Sequence, residues 1–119
     1  MKVFLVEDSE LLRGRLEAMV TAIPGAELVG HAEGADDAVQ KILAAQPDAV
    51  VLDIHLKQGN GFDVMRALDG KASGIAFYVL TNYPAQAYRA SAERLGARGF
   101  FDKSSEIDLL RAEIGKLLP

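Results

Sequence analysis

No cysteine occurs anywhere in the 119 residues, which excludes a disulfide framework, a thiolate metal centre and a cysteine nucleophile. Long apolar runs are missing too. Nothing approaches the roughly 18 to 20 consecutive apolar residues needed to cross a bilayer. The opening Met1-Lys2-Val3-Phe4-Leu5-Val6 meets Glu7-Asp8 before it could serve as a signal-peptide core. A cytoplasmic protein without membrane attachment is the expectation. Basic charge is also scarce: 13 Lys and Arg face 17 Asp and Glu, for a formal net charge of -4. The deficit lies in residues 1 to 60, with 5 basic and 10 acidic residues, against 8 and 7 in the remainder. Without a basic footprint, direct nucleic-acid binding is not expected. What remains is an ordinary globular composition, 50% apolar and 25% charged, enough for one domain spanning residues 1–119 around a single core.

Five apolar segments alternate with five amphipathic ones, the pattern of a parallel sheet covered by helices on both faces. The strands are read as Lys2 to Val6, Glu27 to His31, Ala49 to Leu52, Ile75 to Leu80 and Arg98 to Phe101. Helical spacing recurs in Leu12, Leu16, Met19 and Ile23, in Ala38, Ile42 and Ala45, and in Tyr88, Ser91, Ala92 and Leu95. It recurs again in Ile107, Leu110, Ile114 and Leu117, with a shorter third helix at Phe62, Met65 and Leu68 or Asp69. Ser9 can cap the first helix and Ser105 or Ser104 the last. Pro24-Gly25, Gln46-Pro47 and Asp69-Gly70 close helices. The expected fold is α/β, a doubly wound (βα)5 sheet, with Met19 and Met65 as core fillers.

Such a sheet binds ligands outside the carboxyl ends of its strands. There the sequence offers Glu7 and Asp8, then Asp53, then Thr81, then Asp102 and Lys103. Right-handed crossovers set the first and third strands side by side, so the carboxylates of Glu7, Asp8 and Asp53 would crowd one another. Like charges that close need compensation, which a hard divalent cation supplies. Mg²⁺ is the expected cofactor, with Mn²⁺ as its substitute. Asp53, directly after Ala49-Val50-Val51-Leu52, is a candidate nucleophile toward phosphorus. Lys103 suits a phosphate oxygen and can pair with Asp53 in its absence. The Thr81 hydroxyl can donate to another oxygen of the same group.

These residues resemble the receiver domain of bacterial two-component response regulators, of the single-domain chemotaxis-regulator kind, over Lys2 to Leu117. The family pattern is an acidic pair after the first strand (Glu7-Asp8), a phosphoacceptor after the third (Asp53), Thr or Ser after the fourth (Thr81) and Lys after the fifth (Lys103). The run Gly96-Ala97-Arg98-Gly99-Phe100-Phe101-Asp102-Lys103 is similar to the family's Gly-Ala-x-Gly-aromatic-x-x-Lys. The resemblance implies a flavodoxin-like sheet of order 2-1-3-4-5. It implies phosphorelay signalling in which a sensor histidine kinase or phosphotransfer protein phosphorylates Asp53 with Mg²⁺. The domain would catalyse transfer to itself and slowly dephosphorylate, unlike a conventional enzyme. Asp8 and Asp53 are implied metal ligands, with Glu7 acting mostly through water and His55 through its backbone carbonyl. Thr81 and Phe100 are the implied switch residues, acting with Lys103 on the surface of the fourth helix, fifth strand and fifth helix. That surface would engage a downstream protein target or an omitted output domain, or form a homodimer. A stand-alone regulator is favoured over an excised receiver, because the sequence stops after the fifth helix.

Several positions depart from the family pattern. Ile54-His55-Leu56-Lys57-Gln58-Gly59-Asn60-Gly61 replaces x-x-Met-Pro-x-x-x-Gly, so Lys57 stands where proline is common and puts a second cation near the acidic mouth. Gly61 still follows and can open the third helix. Asn82 replaces the usual Ala or Gly and could narrow access to Asp53 or bond the phosphoryl group. Ser104 follows Lys103 in place of proline, so the cis peptide associated with that proline is not expected. Phe100 stands in for Tyr. His55, at the rim, could tune phosphoryl lifetime, whereas His31 is read as structural. The competing functions are a phosphorylation-independent binding module, a small aspartyl-nucleophile phosphatase and a flavodoxin-like cofactor carrier. The phosphatase reading is weakened by His55 standing where haloacid-dehalogenase-type enzymes have a second Asp.

Overall fold

The computed structural model describes residues 1–71, 74–82 and 85–118. Strands and helices alternate in the order β1 (Lys2–Val6), α1 (Glu10–Thr21), β2 (Glu27–Ala32), α2 (Ala35–Ala45) and β3 (Ala49–Asp53). They continue with α3 (Gly61–Leu68), β4 (Ala76–Thr81), α4 (Gln86–Arg94), β5 (Gly99–Asp102) and α5 (Ile107–Gly115). All strand pairs are parallel, and the sheet order is β2-β1-β3-β4-β5, as expected. No helix among the described residues is long and apolar enough to cross a membrane.

Successive strand residues feed opposite faces, so the sheet has two cores. Phe4, Val6, Val50, Leu52, Phe77, Val79 and Phe100 pack toward α2, α3 and α4. Val3, Leu5, Val51, Tyr78, Leu80 and Phe101 pack toward α1 and α5, against Leu16, Val20, Leu110 and Ile114. β3 and β4 are buried throughout. At roughly 1.5–3 kcal/mol for each large apolar side chain taken out of water, these strands form a stiff platform for whatever stands at their ends.

Four of the five strands have boundaries moved from their sequence-based positions, all toward the carboxyl end. β2 runs to Ala32 and not His31, and β3 includes Asp53. β4 begins at Ala76 and includes Thr81; β5 is shifted to Gly99–Asp102. An apolar pattern stops at the first polar residue, whereas the ladder continues through Asp53 opposite Leu80 and Thr81 opposite Asp102. Asp53 and Thr81 are thus held by sheet backbone and not by loops.

Helix ends follow local hydrogen bonding. The Ser9 hydroxyl caps α1, accepting from the Leu12 N–H at 3.3 Å. Neither Ser104 nor Ser105 caps α5: its N-cap is Glu106, because the Ser104 hydroxyl is turned back onto Asp102. Leu117 lies past the end of α5 yet still packs on its core, and α3 ends at Leu68 with Asp69 as its cap. A capping box at the start of α3, in which Asn60 accepts from the Asp63 N–H and Asp63 from the Asn60 N–H, was not anticipated.

Candidate functional site

Register assembles the site. Val6 pairs with Leu52, which carries Glu7 alongside Asp53, and Asp53 in turn pairs with Leu80, one residue before Thr81. One carboxylate oxygen each from Glu7, Asp8 and Asp53 falls within 4.8 Å of the others. Glu7 and Asp53 are buried, at 1% and 4% exposure, while Asp8 is exposed and opens the cluster to solvent.

Lys103 supplies the counter-charge from the end of β5. Its ammonium donates to Asp53 Oδ2 at 2.5 Å and lies 2.8 Å from Glu7 Oε1, with the lysine side chain only 8% exposed. The Glu7 contact is an ion pair without hydrogen-bond alignment, so Oε1 is a buried carboxylate oxygen lacking a hydrogen bond. Glu7 Oε2 accepts from the Ser9 N–H at 3.0 Å. Burial raises the Glu7 pKa above the ordinary carboxylate value; Lys103 and the Ser9 N–H oppose this and the Asp53 charge adds to it. Burial also works against the Lys103 ammonium, but its hydrogen bond to Asp53 and its ion pair with Glu7 prevail and raise its pKa. One ammonium among three acids leaves excess negative charge. An all-oxygen donor set, one acid open to solvent and an oxygen without a hydrogen bond together fit a hard divalent cation.

The remaining candidate residues take distinct places. Thr81 is fully buried at the end of β4, and its carbonyl accepts from the Lys103 N–H at 2.9 Å. The His55 N–H donates to Asp53 Oδ1 at 3.3 Å. Its side chain is exposed, with the ring edge-on to Tyr88 at 5.8 Å. Asn82 is exposed just past β4. Phe100 is buried, 7% exposed, beneath the Arg89 guanidinium at 4.7 Å. Asp102 does not join the acidic cluster, because its carboxylate is taken by Ser104. His31, exposed on β2, lends its carbonyl to Lys41 at 3.2 Å.

Lys57 is paired with Glu33, Nζ to Oε2 at 3.0 Å. Glu33 also accepts from Arg13 at 3.3 Å, and its pKa is lowered first by the Lys57 bond and charge and then by Arg13. Arg13 reaches the Glu7 carbonyl as well, at 3.3 Å. The Lys57 N–H to Glu33 O bond, at 3.1 Å, and the Ala35 N–H to Gln58 O bond, at 2.8 Å, tie the loop after β3 to the loop after β2. The Arg13–Glu33–Lys57 bridge escaped sequence reasoning because its members stand 20 and 24 residues apart with no motif linking them.

Chemically, the site offers a buried carboxylate at a rigid strand end, a cation against it and oxygen ligands around it, an arrangement able to stabilise charge at a phosphorus centre. Known proteins point the same way. Residues 3–115 match the family model described as response regulator receiver domain. The chain is 35% identical over 112 residues to the DNA-binding transcriptional activator DevR/DosR of Mycobacterium tuberculosis, covering 93% of this chain and 52% of that protein. It is 30% identical over 115 residues to protein-glutamate methylesterase/protein-glutamine glutaminase 1 of Carboxydothermus hydrogenoformans, covering 95% and 34%. The chain thus spans about half or less of these two relatives. Among solved structures, a two-component response regulator of the LuxR family from Aurantimonas sp. SI85-9A1 superposes with a TM-score of 0.90 at 25% identity, over 98% of this chain and 83% of that one. With the fold, the acidic cluster and the family match in agreement, the chain belongs to the response regulator receiver domains, phosphorylation-dependent modules of two-component signalling.

Proposed function

We propose that residues 1–119 form one cytoplasmic receiver domain whose Asp53 accepts a phosphoryl group from the phosphohistidine of a sensor histidine kinase or phosphotransfer protein. The observation that carries this reading is the Lys103 ammonium set against both Asp53, at 2.5 Å, and Glu7, at 2.8 Å, at the end of a buried strand. An Asp53 oxygen forms the new bond to phosphorus as the nitrogen–phosphorus bond breaks. The electron pair leaves with the imidazole, which takes up a proton. Lys103 and the Thr81 hydroxyl then hold phosphoryl oxygens. Mg²⁺, or Mn²⁺ in its place, would be held by Asp8 and Asp53, by Glu7 mostly through water and by the His55 carbonyl. When bound, it offsets the charge developing on the phosphoryl oxygens. Slow attack by water reverses the modification, and exposed His55 and Asn82 stand where they could modulate it. Thr81, Lys103 and Phe100 relay the added charge to the α4, β5 and α5 surface, which engages a downstream protein, an output domain or a second copy.

Mass spectrometry after incubation with acetyl phosphate and Mg²⁺ tests the reading: wild type should gain one phosphoryl group and Asp53→Asn none. Uptake that persists in Asp53→Asn moves the phosphosite elsewhere. No uptake by wild type favours the phosphorylation-independent module. The aspartyl phosphatase reading would require turnover of a phosphate ester.

A further inference from the structure

Lys103 is delivered to Asp53 from a turn that two flanking acids close. Asp102 Oδ1 accepts from the Ser104 N–H at 2.8 Å and from the Ser104 hydroxyl at 2.6 Å. Glu106 Oε1 reaches back to accept from the Asp102 N–H at 2.9 Å, while the Glu106 N–H donates to the Asp102 carbonyl, also at 2.9 Å. The Lys103 N–H itself is bound to the Thr81 carbonyl at 2.9 Å. The backbone on both sides of the lysine is therefore fixed by interlocked bonds, two of them accepted by carboxylate side chains from backbone N–H groups. Such charge-assisted bonds are stronger than neutral ones.

This matters because the lysine stem is nearly buried and its ammonium must meet two carboxylates at once. A shift of the turn cannot be absorbed freely by a stem packed on its sides, and a misplacement of about 1 Å at a reacting group can cost around a hundredfold in rate. Asp102 and Glu106 contribute no oxygen to the acidic cluster, and the ion pairs of Lys103 are made with Asp53 and Glu7. Their carboxylates are committed to the turn. The hydrogen bonds from Ser104 hold the Asp102 carboxyl below its ordinary pKa, so it stays a charged acceptor at neutral pH.

We propose that Asp102 and Glu106 are positioning residues that fix the Asp102–Glu106 turn, so that the Lys103 ammonium meets Asp53 in the geometry that phosphoryl uptake requires. The rate part of this proposal rests on Asp53 being the phosphoacceptor; the positioning part does not.

Two measurements separate them. In metal-free protein, a double-mutant cycle by urea denaturation combines Asp102→Ala with Lys103→Met. If the turn positions the lysine, the loss of stability from Asp102→Ala shrinks once the lysine charge is gone. Strict additivity overturns the proposal, whether or not the chain is phosphorylated. In the second measurement, uptake from saturating acetyl phosphate with Mg²⁺ should slow by about tenfold or more in Asp102→Ala and Glu106→Ala. Asp102→Asn and Glu106→Gln keep the accepting oxygen and should recover most of the rate, which a general need for negative charge would not allow. Uptake at the wild-type rate in both alanine variants overturns the proposal. If wild type takes up nothing, the phosphoacceptor reading fails and the cycle alone decides whether the turn positions Lys103.

Discussion

Gly61 and Asp53 are packed so closely that a β-carbon on Gly61 would run into the Asp53 carbonyl oxygen, while standing 3.1 Å from its carbonyl carbon and 3.3 Å from Ile54 Cα. The obstructing atoms are backbone at the end of a buried strand and cannot swing aside. The Gly61 N–H also donates to the Ile54 carbonyl at 2.9 Å, locking the start of α3 onto the exit of β3.

Gly61→Ala therefore sets a helix-propensity gain of up to about 1 kcal/mol against overpacking that costs about 1–3 kcal/mol. The clash should win, lowering the urea midpoint and moving Asp53 enough to slow its phosphorylation. Unchanged stability together with unchanged uptake from acetyl phosphate would mean that the loop after Asp53 absorbs the methyl group.

Asp8→Ala addresses the exposed member of the acidic cluster. Removing a proposed metal ligand should weaken Mg²⁺ binding by at least about tenfold, since even outer-shell partners are worth that much. Metal-free stability should stay level or rise by a few tenths of a kcal/mol, because an exposed like charge is lost and screening keeps the relief small. A Mg²⁺ titration followed by amide NMR, with a parallel urea curve, checks both halves. Unaltered Mg²⁺ affinity removes Asp8 from the ligand set.

Alkaline stability follows from two raised pKa values. Tyr78 is buried, and desolvation raises its phenol above the ordinary value near 10, with opposing influence from Arg98 and a smaller raising one from Glu113. Lys103 is raised above 10.5 because its hydrogen bond to Asp53 and its ion pair with Glu7 outweigh its burial. In both cases the proton is held more tightly in the fold than in the unfolded chain. The stabilisation is complete below the unfolded pKa and is lost as pH rises through the folded one. The urea midpoint of metal-free protein should fall above about pH 10. Tyr78→Phe should remove part of that fall and the late phase of the tyrosine ultraviolet titration. An identical alkaline profile in Tyr78→Phe would show that the phenol ionises as freely in the fold as outside it.

The parts of the fold readable from sequence are those governed by periodicity. Val3, Leu5 and Leu16 on one face and Phe4, Val50 and Ile42 on the other follow from alternation along strands and helical spacing, whereas the full sheet order was legible only through the family resemblance. Glu7, Asp53, Thr81 and Lys103 were identifiable because each stands at a strand end, and the fold brings Glu7, Asp53 and Lys103 into contact. Long-range polar pairing away from the strand ends was not readable. Nothing in the residues around Lys57 names Glu33 as its partner, and Ser104 reads as a helix cap until Asp102 is seen to hold it. Charge complementarity between remote loops leaves no periodic trace, and a short hydroxyl side chain has several backbone groups within reach.

Arg89 and Phe100 give the proposed output face a measurable coupling. The guanidinium of Arg89, on α4, lies 4.7 Å from the centre of the Phe100 ring on β5, and that ring is buried. A cation over an aromatic face is worth roughly 0.5–1 kcal/mol when exposed and about 2 when desolvated. The partly buried Arg89 should fall between these limits. Any reorientation of Phe100 on phosphorylation must first release Arg89, so α4 and the ring should move together. A denaturation cycle of Arg89→Ala and Phe100→Leu should return a coupling of about 1 kcal/mol. Beryllofluoride, a phosphoryl mimic, should then perturb amides of α4 less in Arg89→Ala than in wild type, because the ring has lost its grip on that helix. Additive stabilities with an unchanged amide pattern would detach Arg89 from the switch and leave Phe100 to act through apolar packing alone.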